Sequence, residues 1–163
     1  MAENAASLLA GALDAVQVFQ PYAEELIASG AGHLWYAAAS RGLCSYTTFY
    51  ARHETLAAKH EDCLKLVRGL YQAQRWLHRE PPEALGEAIR PYFPNVPQSI
   101  LHASLARYKA LGVWGRDPRL PQEGYERLVR ALVNAGFAKG TPYETAVDNS
   151  LAEQVVREVS RNL

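Results

Sequence analysis

Histidine, cysteine, serine and paired carboxylates are the side chains that most often do chemistry, and this chain arranges none of them in a working pattern. Of the five histidines, at 33, 53, 60, 78 and 102, only His60 has carboxylates beside it, in His60-Glu61-Asp62. Three consecutive residues fan around a helix, so they do not share a face as metal ligands or an acid/base pair must. Ser40 and Ser45 lack the Gly-x-Ser-x-Gly turn that exposes a hydrolase nucleophile. Cys44 and Cys63 stand far from metal spacing and read as buried free thiols in apolar surroundings, with a disulfide open only if their two segments meet. Gly11, Gly30 and Gly32 fall at element ends and form no phosphate-binding loop. No catalytic residue, metal or cofactor is expected.

Ligand capture is better supplied. Phe19, Gln20 and Tyr22 put an aromatic wall beside an amide that can both donate and accept. Tyr36 lies at the end of a second apolar run, and Ser45, Tyr46 and Thr47 open a third. In open α/β sheets, small molecules sit beyond the carboxyl ends of strands, where these residues would fall. Core packing is the competing explanation for the aromatics; for Trp76, Tyr108 and Trp114, at helical positions, it is the preferred one.

The elements that would carry these residues begin with strand-like runs at 14–19, 33–38 and 45–51, the last rich in Tyr, Thr and Phe. Short helices are expected at 4–13 and 21–28, the second opened by Pro21 and stopped by Gly30. From residue 54 the period turns helical, with Cys63, Val67, Leu70, Gln74 and Leu77 forming one stripe that ends near Pro81. Further helices are expected at 82–91, 97–111 and 122–135, and a capping box of Ser150 with Glu153 should open the last. The fold class expected is therefore α/β: a short βαβ start followed by a mostly helical remainder.

With 163 residues, 48% of them hydrophobic and 21% charged, the chain is an ordinary globular sequence of one-domain size. Seventeen basic and seventeen acidic residues cancel, without a basic block, so nucleic acid and anionic membranes are not expected partners. The first residues lack a basic stretch ahead of an apolar one, so no secretory signal is read, and no window is long and apolar enough to insert in a membrane. On that reading alone the chain as given would stay in the cytoplasm.

The order of motifs adds a resemblance. Gly11-Ala-Leu-Asp14-Ala-Val-Gln-Val-Phe-Gln-Pro21-Tyr, Trp35-Tyr36, Ala73-Gln-Arg-Trp-Leu77 and Tyr92-Phe93-Pro94 come in turn. Leu105-Ala-Arg-Tyr-Lys-Ala-Leu-Gly112-Val-Trp114, Gly124-Tyr-Glu-Arg-Leu128 and Val147-Asp148-Asn149 follow. Together they resemble the C-terminal half of ABC-importer substrate-binding proteins that handle thiamine pyrimidine precursors, sulfonates, nitrate and riboflavin-like compounds. The resemblance implies a partial type II periplasmic-binding-protein fold. Residues 1–41 would be the end of the second lobe, 42–52 the crossover strand and 53–163 the helical part of the first lobe. It also implies a small-molecule ligand, an ABC permease as partner and a periplasmic location. Covering the exposed edges would fall to a missing N-terminal half or a second copy. Gln20 stands where many such proteins carry an acid. Two other readings remain beside it: a relative of thiamine-pyrimidine biosynthesis enzymes, and a structural or regulatory remnant without ligand.

Overall fold

The computed structural model describes residues 1–161, and helices supply all of their regular structure. These are α1 (Ala2–Leu9), α2 (Tyr22–Ala28), α3 (His53–Ala58), α4 (His60–Arg79), α5 (Pro82–Ile89), α6 (Gln98–Leu111), α7 (Gln122–Asn134), α8 (Tyr143–Ala146) and α9 (Ser150–Ser160). Short 3₁₀ turns occupy Ala38–Arg41 and Arg90–Tyr92.

The α/β expectation, with its βαβ start and partial type II binding-protein fold, is overturned: among the described residues there is no strand and no sheet. A strand is defined by the neighbour that takes its N–H and C=O groups, and alternation of side chains does not supply one. The runs at 14–19, 33–38 and 45–51 find no such neighbour. The second passes into the 3₁₀ turn at Ala38, and the third starts by giving its Ser45 N–H to the carbonyl of Gly124, at 3.0 Å, on a helix. Their large side chains stay in water: Trp35 is 86% exposed, Tyr46 83% and Tyr50 90%.

The chain divides into two compact units. The first joins residues 1–40 to 79–114 and holds α1, α2, α5 and α6 around Ala5, Leu26, Leu85, Leu101 and Leu105. Leu101 and Leu105 are the i and i+4 positions that helical periodicity assigns to the inner face of α6. Helices α5 and α6 come together at Gly86, where a β-carbon would stand 2.6 Å from Nε2 of His102. That nitrogen is enclosed without a hydrogen-bond partner, so the histidine serves here as a packing surface against bare backbone.

The second unit joins residues 41–78 to 115–163. Its deepest side chains are Leu64 of α4 and Val155 of α9. The expected stripe of Cys63, Val67, Leu70, Gln74 and Leu77 is half-buried, and Leu64 beside it, which the stripe did not include, packs deepest at 2% exposed. The long helix expected from residue 54 is broken at Lys59, whose φ of −121° and ψ of 31° separate α3 from α4. The capping box is also replaced. Ser150 is already helical, and its N–H is taken by Oδ1 of Asp148 at 2.8 Å. Hydrogen bonding from the Ser150 side chain, and then from its N–H, holds the Asp148 carboxyl below its ordinary value. Arg68 of α4 grips Glu158 of α9 through two bonds of 2.8 and 2.9 Å. The Arg68 hydrogen bonds, assisted by Gln154, pull Glu158 down from 4.5 to about 2.

Two outcomes follow from these contacts. Gly86→Ala should destabilise the chain by about 1 kcal/mol in urea unfolding, because overpacking at about 1–3 kcal/mol exceeds the helix-propensity gain of about 1 kcal/mol. In a His102→Ala background the same substitution should become stabilising; an unchanged sign there would show that the two residues do not press on each other. The Glu158 carboxyl, followed by carbon NMR, should titrate near pH 2 and return toward the usual carboxylate range in Arg68→Met. Its folded-state value is depressed, so the stabilisation from this pair is complete above about pH 4.5 and disappears as pH falls toward 2.

Candidate functional site

Gln20 immediately precedes α2, next to Pro21, which occupies the N-cap position and has no hydroxyl, amide or carboxylate side chain to cap the helix. The Gln20 side chain caps α2 in its place. Its Oε1 accepts the Glu24 N–H at 3.2 Å, and its Nε2 donates to Glu24 Oε1 at 3.2 Å. Glu24 is drawn inside by this arrangement, with its side chain only 7% exposed. A buried carboxylate needs a counter-charge, and α6 provides it.

Ser104, Arg107 and Tyr108 stand at i, i+3 and i+4 on one face of α6. The Arg107 Nε pairs with Glu24 Oε1, and this hydrogen bond raises the arginine above its ordinary value against the opposing pull of desolvation. The Ser104 hydroxyl shares its hydrogen between the Ile100 carbonyl at 2.7 Å and Gln20 Oε1 at 3.3 Å. The Tyr108 hydroxyl accepts the Gln20 main-chain N–H at 3.3 Å, while its ring meets Trp114 edge-on at 5.6 Å. The result is a connected polar cluster inside the first unit with Gln20 at its centre. Periodicity alone places Tyr108 in the core and passes over Glu24, Ser104 and Arg107. The legible signal is a serine beside Leu105 on the apolar face of a helix, with an arginine one turn later.

Four of the residues expected to meet a ligand lie in this unit. Phe19 is 53% exposed and Tyr36 52% exposed, while Gln20 and Tyr22 are half-buried. Ser45, Tyr46 and Thr47 belong to the second unit. There the Ser45 Oγ is enclosed without a partner against Gly124, where a β-carbon would come within 3.0 Å of it; Tyr46 and Thr47 are exposed. Among the described residues, no group of three or more His, Cys, Asp or Glu could hold a metal ion. A shallow cavity of about 380 Å³ in the second unit is lined by Tyr125, Val129, Val133, Pro142 and Tyr143, among others, and by none of the expected ligand residues. Both tyrosine hydroxyls there are committed to backbone carbonyls, of Thr141 and Leu120.

Residues 1–90, more than half of the chain and including the whole Phe19–Tyr36 region, match the profile of the NMT1-like family. The chain belongs to the NMT1-like family. It is also 28% identical over 159 residues to a Bacillus subtilis (strain 168) protein named "Putative binding protein YtlA", an alignment covering 96% of this chain and 48% of that protein. The chain thus spans about half the length of the curated relative it matches. No solved structure matches it. This NMT1-like membership agrees with the resemblance to substrate-binding proteins carried by the motifs. Among the described residues, no helix is long and apolar enough to cross a membrane.

Removing the arginine from the cluster leaves a buried carboxylate uncompensated. Arg107→Met should destabilise the chain by about 3 kcal/mol, the lower end of the range for breaking a buried pair because the arginine itself reaches solvent. Adding Glu24→Gln should recover most of that loss. Equal denaturation midpoints for wild type and Arg107→Met would show that the carboxylate draws its support from elsewhere.

Proposed function

We propose that this chain is the substrate-binding component of an ABC importer, or a portion of one. It would capture a small polar aromatic or anionic nutrient of the thiamine-pyrimidine-precursor, sulfonate or nitrate kind. The supporting observation is the NMT1-like match together with the likeness of nearly the whole chain to a protein named as a binding protein. Phe19, Gln20, Tyr22, Tyr36, Ser45, Tyr46 and Thr47 would supply the contacts, without covalent chemistry. The importer's permease would read the occupied state in an extracytoplasmic compartment.

Partnership with further polypeptide belongs to the same reading. The aromatic side chains at 35, 46, 49 and 50 are largely exposed. Either the part of the relative's length beyond the match or a second copy of this chain would cover them.

Thermal unfolding with a panel of neutral pyrimidines, alkanesulfonates and nitrate tests the capture. A true ligand at 100 times its dissociation constant should stabilise by about 2.7 kcal/mol. Absence of a shift with every compound, in a chain shown by circular dichroism to be folded, would remove the support for ligand capture.

A further inference from the structure

The cavity of the second unit contains none of the residues proposed for nutrient capture, and it has a chemistry of its own. One wall is a face of α7, where Tyr125, Val129 and Val133 follow one another a turn apart; the other is Pro142 and Tyr143 at the start of α8. Hydrogen bonds hold both walls in place. Tyr125 donates its hydroxyl hydrogen to the Thr141 carbonyl at 2.9 Å. Tyr143 donates its own to the Leu120 carbonyl at 2.6 Å and accepts from Asn149 Nδ2 at 2.8 Å. The two rings meet edge-on, with centroids 5.6 Å apart. Since both hydroxyl hydrogens are already spent on main-chain carbonyls, the tyrosines offer a ligand mainly ring surface. At about 380 Å³ the space lies toward the small end of the range for small-molecule sites, about 300–1,000 Å³.

Two side chains of opposite charge line this space without a partner. Glu126 and Arg130 stand at i and i+4 on α7 with the acid first, the order in which a helix favours an ion pair. The pair does not form. Glu126 Oε1 instead accepts the Gln122 Nε2 hydrogen at 2.7 Å, one turn back, and Arg130 has no hydrogen-bond or ion-pair partner among the described residues. Glu144, across the cavity on α8, has none either. A ligand carrying only a negative charge would answer Arg130 but face two glutamates, and one carrying only a positive charge would leave Arg130 opposed. A molecule with both charges and an apolar body answers every unpaired group.

We propose that this cavity is a second binding site, for a free amino acid with a large apolar side chain. The ligand's carboxylate pairs with Arg130, whose planar guanidinium matches two oxygens, and its ammonium pairs with Glu144. The side chain lies on Val129, Val133 and the Tyr143 ring. Gln122 is a positioning residue: by holding Glu126 it keeps Arg130 free for the ligand. Arg130 and Glu144 are both exposed, so each ion pair contributes only a few-fold in affinity and weakens with salt.

The test removes one charge at a time from the ligand and from the protein. Nitrogen-edited NMR of the full chain, at neutral pH and low salt, would follow titration with L-phenylalanine, N-acetyl-L-phenylalanine, which lacks the ammonium, and phenethylamine, which lacks the carboxylate. Phenylalanine should bind about threefold to fivefold more tightly than either analogue, with the largest shifts in α7 and α8. Arg130→Gln should weaken phenylalanine and N-acetylphenylalanine by that factor without weakening phenethylamine. Glu144→Gln should do the reverse, weakening phenylalanine and phenethylamine and sparing N-acetylphenylalanine. Loss of folding would weaken all three probes together, so the crossed pattern is specific to the assigned pairs. Equal affinity for the three probes, a variant that affects all of them alike, or no saturable shift in α7 and α8 at millimolar phenylalanine would overturn the site.

Discussion

Every main-chain N–H and C=O removed from water must find a partner, and in this chain helices are the only regular structure among the described residues that supplies one. That constraint organises the molecule. Segments with helical periodicity close their own hydrogen bonds and can pack at once. Segments with a strand-like composition cannot, because the partner they need lies in another stretch of chain. The runs at 14–19, 33–38 and 45–51 consequently leave most of their large side chains exposed, while Leu26, Leu64, Leu101 and Val155 are buried on helices.

The first unit adds a second constraint, the buried carboxylate of Glu24. It is there because Gln20, in place of a conventional N-cap side chain, satisfies the Glu24 N–H and brings the carboxylate with it. Once inside, the carboxylate requires Arg107, which fixes the angular position of α6 against the start of α2. Local capping and helix packing are thus consequences of one another.

Most helices were legible because their signals are local. Pro81 and Pro121 directly before a helix, Gly112 directly after one, and the Leu101–Leu105 spacing located α5, α7 and α6 to within one or two residues. The failures were non-local. Alternating Tyr, Thr and Phe at 45–51 describes a strand only if a neighbour exists. The burial of Leu64, outside the expected stripe, is set by tertiary packing, and the Ser150 capping box lost to Asp148, just outside it. In the candidate site, Gln20 could be chosen from its type and aromatic neighbours. Its link to Ser104 and Tyr108, more than 80 residues away, could not.

The sequence by itself determined the positions of most helices, the absence of a charge field suited to nucleic acid, and the motif order that leads to the NMT1-like family. These depend on residues near one another in the chain or on composition. Tertiary structure alone decided that, among the described residues, the extended runs form no sheet, that Glu24 is buried and answered by Arg107, and that the Gln20 amide is tied to Glu24 and Ser104. Each of those is a relation between distant segments, and hydrogen-bond valence is settled only when every competing partner has been brought within reach.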